Sequence, residues 1–187
     1  AFIYRLDSVR PEGPSLILMD DAYANARQPL AQKFVAKDVR GSFVAVANHF
    51  KSKGSGEDDG TGQGKSNPSR TAQAQALINW SPKEFAGEPV FLLGDFNAYG
   101  MEDPVMKIKD AGYTEVVEQL APGASTFQYG GRLGSLDHIF TNAAAMRMVS
   151  GAGVWDINAD ESIAMQYSRR NYNVTDFHTS GPWAASD

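Results

Sequence analysis

The chain has 187 residues, a net charge of −5 and 42% hydrophobic residues, so it is long enough for one domain with a sizeable core. The acidic balance argues against a protein that covers nucleic acid with a broad basic surface, although a metal ion and a few local cations can still bind phosphates. The chain contains no cysteine, which excludes disulfides, thiolate catalysis and cysteine-based zinc sites in these residues.

The first fifty residues predict a series of β-strands. Residues 2–6 and 16–19 have the pattern of two short strands, joined by a turn at residues 11–14, which include two prolines and a glycine. Residues 30–39 and 41–50 are two further β-rich runs. The last run is the more apolar of the two, which predicts a more central position in a sheet.

A polar cluster closes this apolar strand. Asn48 and His49 stand at its end, and Lys51 and Lys53 follow. On an extended backbone His49, Lys51 and Lys53 share one face, which predicts a cationic edge. A lone histidine is more often structural, but a second polar cluster at another strand end favours a functional His49.

Residues 54–64 form a glycine-rich, acidic loop. Its acidic residues, Glu57, Asp58 and Asp59, could hold a calcium ion. Their spacing matches no EF-hand loop, however, and a solvated loop is the favoured interpretation.

A helix is predicted over residues 70–80, with Ser69 or Asn67 as its N-cap and a loop marked by Pro82 and Gly87 after it. Arg70 lies in the first turn, where a cation opposes the helix dipole. It is interpreted either as the partner of a phosphate or carboxylate or as a solvated surface residue.

The stretch VFLLGDFNAY, residues 90–99, combines a buried strand with a polar strand end. Four apolar residues precede Gly94, as in a strand covered on both faces. Asp95 and Asn97 stand two positions apart, so on an extended segment both can address one ligand from the rim of a sheet. The alternative is that they only build a turn.

A helix is predicted over residues 102–111 and strands over residues 125–129, 135–141 and 154–157. In the stretch SLDHIFT, Leu136, Ile139 and Phe140 are expected to be buried, and Asp137 interrupts the apolar run. A charge inside a buried strand is expensive unless it is paired or binds a metal, which makes Asp137 a site candidate. His138 points to the opposite face and is interpreted as structural.

Four motifs in order resemble the endonuclease/exonuclease/phosphatase superfamily, the DNase I-like phosphodiesterases: NHFKS at residues 48–52, GDFNA at 94–98, LDHI at 136–139, and the terminal Ser186 and Asp187. The phrases NHFKSKGSG, GDFNAYGMEDP and VWDINADES are similar to bacterial extracellular nucleases of the ExeM/NucH type. The resemblance implies an α/β fold, a four-layer sandwich of two mixed sheets flanked by helices. Residues 1–187 would be one such domain, incomplete at its N-terminal side.

The resemblance also implies roles for individual residues. His49 matches the strand-end residue that contacts the scissile phosphate, and Asp95 matches the carboxylate that orients or deprotonates the attacking water. Asn97 matches the amide that holds phosphate or metal, Asp137 the aspartate that orients a catalytic histidine, and Asp187 a metal-linked aspartate. Asn48, Lys51 and Arg70 are the expected substrate contacts, and Asp95, Asn97 and Asp187 the expected ligands of Mg²⁺, or of Mn²⁺ or Ca²⁺.

The expected activity is hydrolysis of phosphodiester bonds in extracellular DNA by a secreted enzyme, through in-line attack of water. The alternatives are a phosphatase or phospholipid phosphodiesterase of the same superfamily, and a catalytically inactive scaffold. By the resemblance, the chain stops one residue before the histidine that follows the Ser-Asp pair, so alone it is expected to have little nuclease activity. An exposed sheet edge is expected to promote self-association.

Overall fold

The computed structural model describes residues 1–37, 41–129 and 131–155. The chain divides into two compact units, residues 1–153 and 154–187, and the elements below all lie in the first. The strands are β1 Val9–Ile17, β2 Leu30–Ala36, β3 Ser42–His49, β4 Val90–Asp95, β5 Thr114–Glu115, β6 Phe127–Tyr129, β7 Arg132–Gly134 and β8 Asp137–Thr141. The helices are α1 Asn67–Glu84, α2 Asp103–Asp110, α3 Val116–Leu120 and α4 Ala143–Met146, with a 3₁₀ turn at Asp21–Tyr23.

Six of the strands form one mixed sheet in the order β1-β2-β3-β4-β8-β5. All neighbouring strands are antiparallel except β3 and β4, which run parallel. Helix α1 lies between β3 and β4 in the chain, as a parallel connection requires. Strands β6 and β7 form a separate hairpin. The parallel pair brings the C-terminal ends of β3 and β4 to the same edge of the sheet.

The two faces of this sheet differ in what covers them. One face carries Val44, Val46, Leu92 and Phe140, which are fully buried in one cluster with apolar residues of α1 and α2, namely Ala74, Leu77, Val105 and Ile108. Because side chains alternate along a strand, the next residues point away from the helices. This second face, here called the open face, is lined by Ala45, Ala47, Phe91, Leu93 and Ile139.

The α/β fold class and the mixed sheet are confirmed. The predicted strands at residues 30–39 and 41–50 correspond to β2 and β3, and β3 is central as expected. The stretch beginning at residue 90 forms β4, and residues 102–111 contain α2. Among the described residues, one large sheet is present where the sandwich has two. No helix in the described ranges is both long and apolar enough to cross a membrane.

The prediction for the first twenty residues is wrong in detail. Residues 2–6 are not a strand, and β1 instead runs continuously from Val9 to Ile17, through the positions predicted as a turn. Strand β1 is at the edge of the sheet, where a proline removes no bond from an outer neighbour. Its register shifts between Glu12 and Leu16, and this irregularity accommodates Pro14 and Gly13, whose φ is +69°.

The ends of α1 also differ from the prediction. The helix begins at Asn67 and continues through Pro82 to Glu84, and its N-cap is Ser66. Ser66 makes no side-chain cap because its hydroxyl donates to the carbonyl of Ser55, 2.7 Å away. Pro82 lies in the last turn, where only one helical N–H is lost. Residues 156 and 157 of the predicted strand at 154–157 lie outside the described residues.

Candidate active site

Three polar residues lie side by side on adjacent strands, where β3 and β4 end and β8 begins. His49 at the end of β3 is in register with Asp95 at the end of β4, and Asp95 is in register with Asp137 at the start of β8. Residues directly opposite one another point to the same face, so all three lie on the open face. The Nε2 atom of His49 is 3.8 Å from Oδ2 of Asp95. The fold therefore assembles three of the predicted site residues from three separate segments.

A tight turn after β4 places Asn97 against the same carboxylate. The backbone N–H of Asn97 donates to Oδ1 of Asp95 at 2.7 Å, and its Nδ2 donates to Oδ2 at 3.1 Å and to the carbonyl of Phe50 at 3.1 Å. Asn97 adopts a left-handed φ of +48°, which asparagine tolerates better than most residues. The turn interpretation is therefore correct, and it is compatible with the site interpretation because the turn orients the Asp95 carboxylate.

The surroundings of Asp95 alter its ionisation. Partial burial raises its pKa above the ordinary value, and the negative charge of Asp137 adds to the effect. The hydrogen bond from the Asn97 N–H and the neighbouring His49 act in the opposite direction without cancelling it. A carboxylate with a raised pKa is a better proton acceptor, and one still 34% exposed can reach a ligand.

Arg27 lies beside the candidate site, a position that the sequence analysis did not identify. It lies in the loop before β2, and its Nη1 is 3.3 Å from both ring nitrogens of His49. The guanidinium therefore lies against the imidazole ring and is not directed at one ring nitrogen. Arg27 is exposed, so an anion that reaches His49 also comes within reach of this cation. A polar residue in a loop carries no pattern that would have indicated this role.

Gln73 holds the loops on which Arg27 and Lys51 lie. It is fully buried in α1, its Nε2 donates to the carbonyl of Ala22 at 3.0 Å, and its Oε1 accepts the N–H of Lys51 at 2.9 Å. The hydroxyl of Tyr23 donates to the Gln73 carbonyl at 2.9 Å. One amide thus fixes both loops beside His49. The signal in the sequence is a glutamine where the helix faces the core.

Arg70 does not lie where a substrate contact requires it. Its side chain is fully buried, and its guanidinium donates to the carbonyls of Lys51, Gln63 and Lys65 at 3.3, 3.0 and 2.6 Å. Both interpretations from the sequence, a phosphate partner and a solvated cation, are corrected by this geometry. Arg70 instead closes the loop that follows β3.

The other expected substrate contacts have different surroundings. Asn48 is buried on the helix side of the sheet, and its Nδ2 donates to the carbonyl of Val46 at 2.8 Å, so it is not placed to meet a substrate. Lys53 pairs with Glu102, which corrects the expected cationic edge of three residues. Lys51 donates from Nζ to the hydroxyl of Ser55 at 2.9 Å in an exposed setting, and its role stays a prediction.

The prediction that Asp137 and Ile139 lie inside a buried strand is wrong. Asp137 is exposed and Ile139 is 38% exposed, because the face that carries them is not packed by the helices. His138 is buried on the helix side, where its Nε2 is 2.9 Å from the carbonyl of Ala98 and its Nδ1 is 3.6 Å from Glu115. These contacts agree with a structural role for His138.

The donor atoms at this edge suit a hard divalent cation. Asp95 and Asp137 are adjacent carboxylates whose mutual repulsion contributes to the raised pKa of Asp95, and a cation between them would relieve that repulsion. No group of three or more histidine or carboxylate ligands is found within the described ranges. The third expected ligand, Asp187, lies outside the described residues.

Comparisons with known proteins identify the fold. No protein-family model and no curated protein matches the chain. Among solved structures, an endonuclease/exonuclease/phosphatase protein from Bacteroides vulgatus matches with a TM-score of 0.55 and 17% identity over 75% of this chain and 57% of that one. The human Nocturnin catalytic domain matches with a TM-score of 0.52 and 18% identity over 74% and 50%. A mannosyl-6-phosphatase from Bacteroides thetaiotaomicron matches with a TM-score of 0.51 and 17% identity over 75% and 55%.

These matches confirm the endonuclease/exonuclease/phosphatase type of fold. At such low identity they are evidence of the fold alone. The chain spans about half the length of the structures it matches.

Proposed function

We propose that this chain is part of a divalent-metal-dependent phosphodiesterase, and that its substrate is DNA outside the cell. The observation that carries the proposal is the row of His49, Asp95 and Asp137 at one level of three adjacent strands. Active sites of α/β sheets commonly lie at strand ends, where side chains from several segments converge. The matching fold supports hydrolysis of a phosphoester, and the choice of DNA and of an extracellular location rests on the motifs at residues 48–56 and 94–104.

Asp95 has the properties expected of the group that handles the attacking water. Two hydrogen bonds from Asn97 fix the orientation of its carboxylate, which is 34% exposed and therefore accessible to a water molecule. His49 stands 3.8 Å away and would share or relay the proton. The pair can therefore orient a water molecule at the rim of the sheet, with either member as the final base.

Cationic and amide groups beside this pair match a phosphate. Arg27 contacts His49, and an incoming phosphate oxygen would exchange that contact for a charge-assisted hydrogen bond. A divalent ion held by Asp95 and Asn97 would supply neutralisation of the phosphate charge. The chain's own donors then stabilise the charge that develops as the phosphodiester bond breaks.

The test is nicking of supercoiled plasmid with magnesium, with and without EDTA. The assay uses the chain extended upstream and downstream, beside the same protein carrying Asp95→Ala. We expect metal-dependent cleavage by the unsubstituted protein and a loss of at least about 100-fold in Asp95→Ala, since acid–base groups commonly contribute that much. Arg27→Ala should lower the rate about 10- to 100-fold, the value of a hydrogen bond to a charged group.

Two outcomes would contradict the proposal. Cleavage that survives in Asp95→Ala would remove Asp95 from the site. Absence of cleavage by the extended protein, together with hydrolysis of a phosphomonoester or phospholipid, would assign the site to another phosphoester. Arg70→Lys serves as the comparison for Arg27, because Arg70 is buried away from the substrate and its loss should lower stability before it lowers the rate at low temperature.

A further inference from the structure

An exposed group of aromatic side chains lies on the β6–β7 hairpin. Phe127 and Tyr129 are two positions apart on β6, so their side chains project to the same face of the hairpin. Their rings are nearly parallel, at an interplanar angle of 9°, with centroids 6.3 Å apart. Phe127 is 39% exposed and Tyr129 is 76% exposed. Contiguous exposed apolar surface of this kind commonly marks a binding surface.

A third ring joins this face at Gly134. Gly134 is in register with Phe127 across the hairpin, and residues directly opposite one another point to the same face. A Cβ at Gly134 would lie 2.7 Å from Cε1 of Tyr99. The Tyr99 ring therefore takes the place of the side chain that Gly134 lacks. Tyr99, Phe127 and Tyr129 are here called the aromatic strip.

The aromatic strip begins beside the candidate active site. Tyr99 is two residues after Asn97, which holds the carboxylate of Asp95. The hairpin is fastened to the start of β8, because Oγ1 of Thr126 accepts the N–H of Asp137 at 3.2 Å. A polymer bound at the site is therefore within reach of the strip.

Cationic side chains accompany the rings. Arg132 is exposed and in register with Tyr129, so both side chains lie on the same face of the hairpin. Nζ of Lys53 lies 5.1 Å from the centroid of the Tyr99 ring, but Lys53 pairs with Glu102. Arg132 is therefore the better placed of the two to meet a phosphate. Aromatic rings next to a cation are the combination with which proteins hold single-stranded nucleic acid, whereas a lipid surface requires no parallel rings.

We propose that the aromatic strip stacks unpaired bases of single-stranded DNA next to the bond that is hydrolysed. The proposal rests on the proposed phosphodiesterase function and adds to it the form of the DNA. The faces of the bases are exposed in a single strand and covered by neighbouring base pairs inside a duplex. Sheets that bind single strands stack bases on exposed aromatic side chains. Arg132 would bind a phosphate that flanks a stacked base.

The test is fluorescence anisotropy of a labelled oligothymidylate, titrated with the 187-residue chain in EDTA so that no cleavage occurs. The comparison ligand is a strand of equal length with abasic sugars, which keeps the phosphates and lacks the bases. We expect the chain to bind the oligothymidylate at least about 10-fold more tightly than the abasic strand, since a base stacked on an aromatic ring contributes this much.

Variants of Tyr129 separate stacking from general apolar contact. Tyr129→Leu keeps an apolar side chain but removes the aromatic face, and it should weaken oligothymidylate binding about 5- to 100-fold while leaving binding of the abasic strand unchanged. Tyr129→Trp should retain the affinity. Leu133→Ala is the matched control, because Leu133 is 72% exposed on the same hairpin and, in register with Gln128, points to the opposite face.

Three results would overturn the proposal. Equal affinity for the two strands would mean that the chain binds only phosphates. Equal weakening by Leu133→Ala and Tyr129→Leu would mean that binding requires the hairpin but not its aromatic face. Binding to vesicles of phosphatidylcholine and phosphatidylserine, without a preference for the strand that carries bases, would assign the hairpin to a lipid surface.

These results are distinguishable from failure of the proposed function, because binding is measured without a divalent ion and without catalysis. Metal-dependent plasmid cleavage together with equal affinity for the two strands would overturn the aromatic strip alone. Base-dependent binding by a chain whose extended form cleaves no DNA would support the stacking of bases and contradict the proposed function.

Discussion

At the scale of single residues, the face of a strand decides what a side chain does. His49 and His138 are both strand residues, yet His49 faces Asp95 on the open face and His138 is buried against Glu115 and Ala98. Arg27 and Arg70 differ in the same way, since one is exposed beside His49 and the other is enclosed by carbonyls. Residue type alone does not separate these pairs.

The buried pair of Glu115 and His138 predicts how stability depends on pH. Burial alone would raise the pKa of Glu115, but the contact with His138 and the N–H groups of Glu118 and Ile139 outweigh it and lower the pKa. The folded protein therefore holds this proton less tightly than the unfolded chain. The stabilisation is present above the ordinary glutamate pKa of about 4.3 and is lost as the pH falls through the lower, folded value.

Glu115→Gln should remove this pH dependence. We expect the free energy of unfolding at neutral pH to fall by about 1–3 kcal/mol, the value of hydrogen bonds to a charged group. Urea unfolding between pH 7 and pH 3 measures both effects. Glu84→Gln is the control, because Glu84 is exposed at the end of α1 and the substitution should leave the dependence of stability on acid pH unchanged. If Glu115→Gln loses as much stability between pH 7 and pH 3 as the parent does, the Glu115–His138 pair does not govern the loss.

At the scale of elements, the parallel pairing of β3 and β4 builds the site. Gly94 makes this close pairing possible, because a Cβ there would lie 2.2 Å from the carbonyl oxygen of Asn48. Its φ of +130° is also a conformation that side-chain-bearing residues rarely adopt. The glycine that punctuates the end of the strand in the sequence thus has a packing reason.

Gly94→Ala should therefore destabilise the protein by about 2–4 kcal/mol, from backbone strain and overpacking together. It should also separate His49 from Asp95. Gly100→Ala is the matched control, since nothing lies within 4 Å of its Cβ position. Chemical denaturation of both variants measures the difference. Equal stability of the two would mean that the strands tolerate a side chain between them.

At the scale of the whole molecule, the open face of the sheet is a partly exposed apolar surface of the first unit. Phe91 and Leu93 are partly exposed, and Ile139 is 38% exposed, on the side away from the helices. The part of the chain that matches the structures sharing this fold spans about half of their length. A sheet face of this kind is stabilised by a further apolar layer.

We expect the 187-residue chain to self-associate through this face. Sedimentation velocity over a range of protein concentrations should show a sedimentation coefficient that rises with concentration. Ile139→Lys should shift the protein toward the monomer, because it places a charge on the open face. Met101→Lys is the control, since Met101 is 80% exposed in a loop. A single monomeric species at every concentration would contradict the prediction.

The sequence by itself predicted the two central strands and the polar residues at their ends that are the principal site candidates. The apolar runs ending in Asn48 and His49 and in Gly94 and Asp95 indicated two central strands with polar ends, because burial pattern and punctuation are local properties. These two runs became β3 and β4.

Only the tertiary structure decided which polar residues meet and which are enclosed. The contact of Arg27 with His49, the burial of Arg70 and the exposure of Asp137 depend on strand order and on which face the helices cover. Those are properties of segments that are far apart in the chain, and periodicity within one segment carries no information about them.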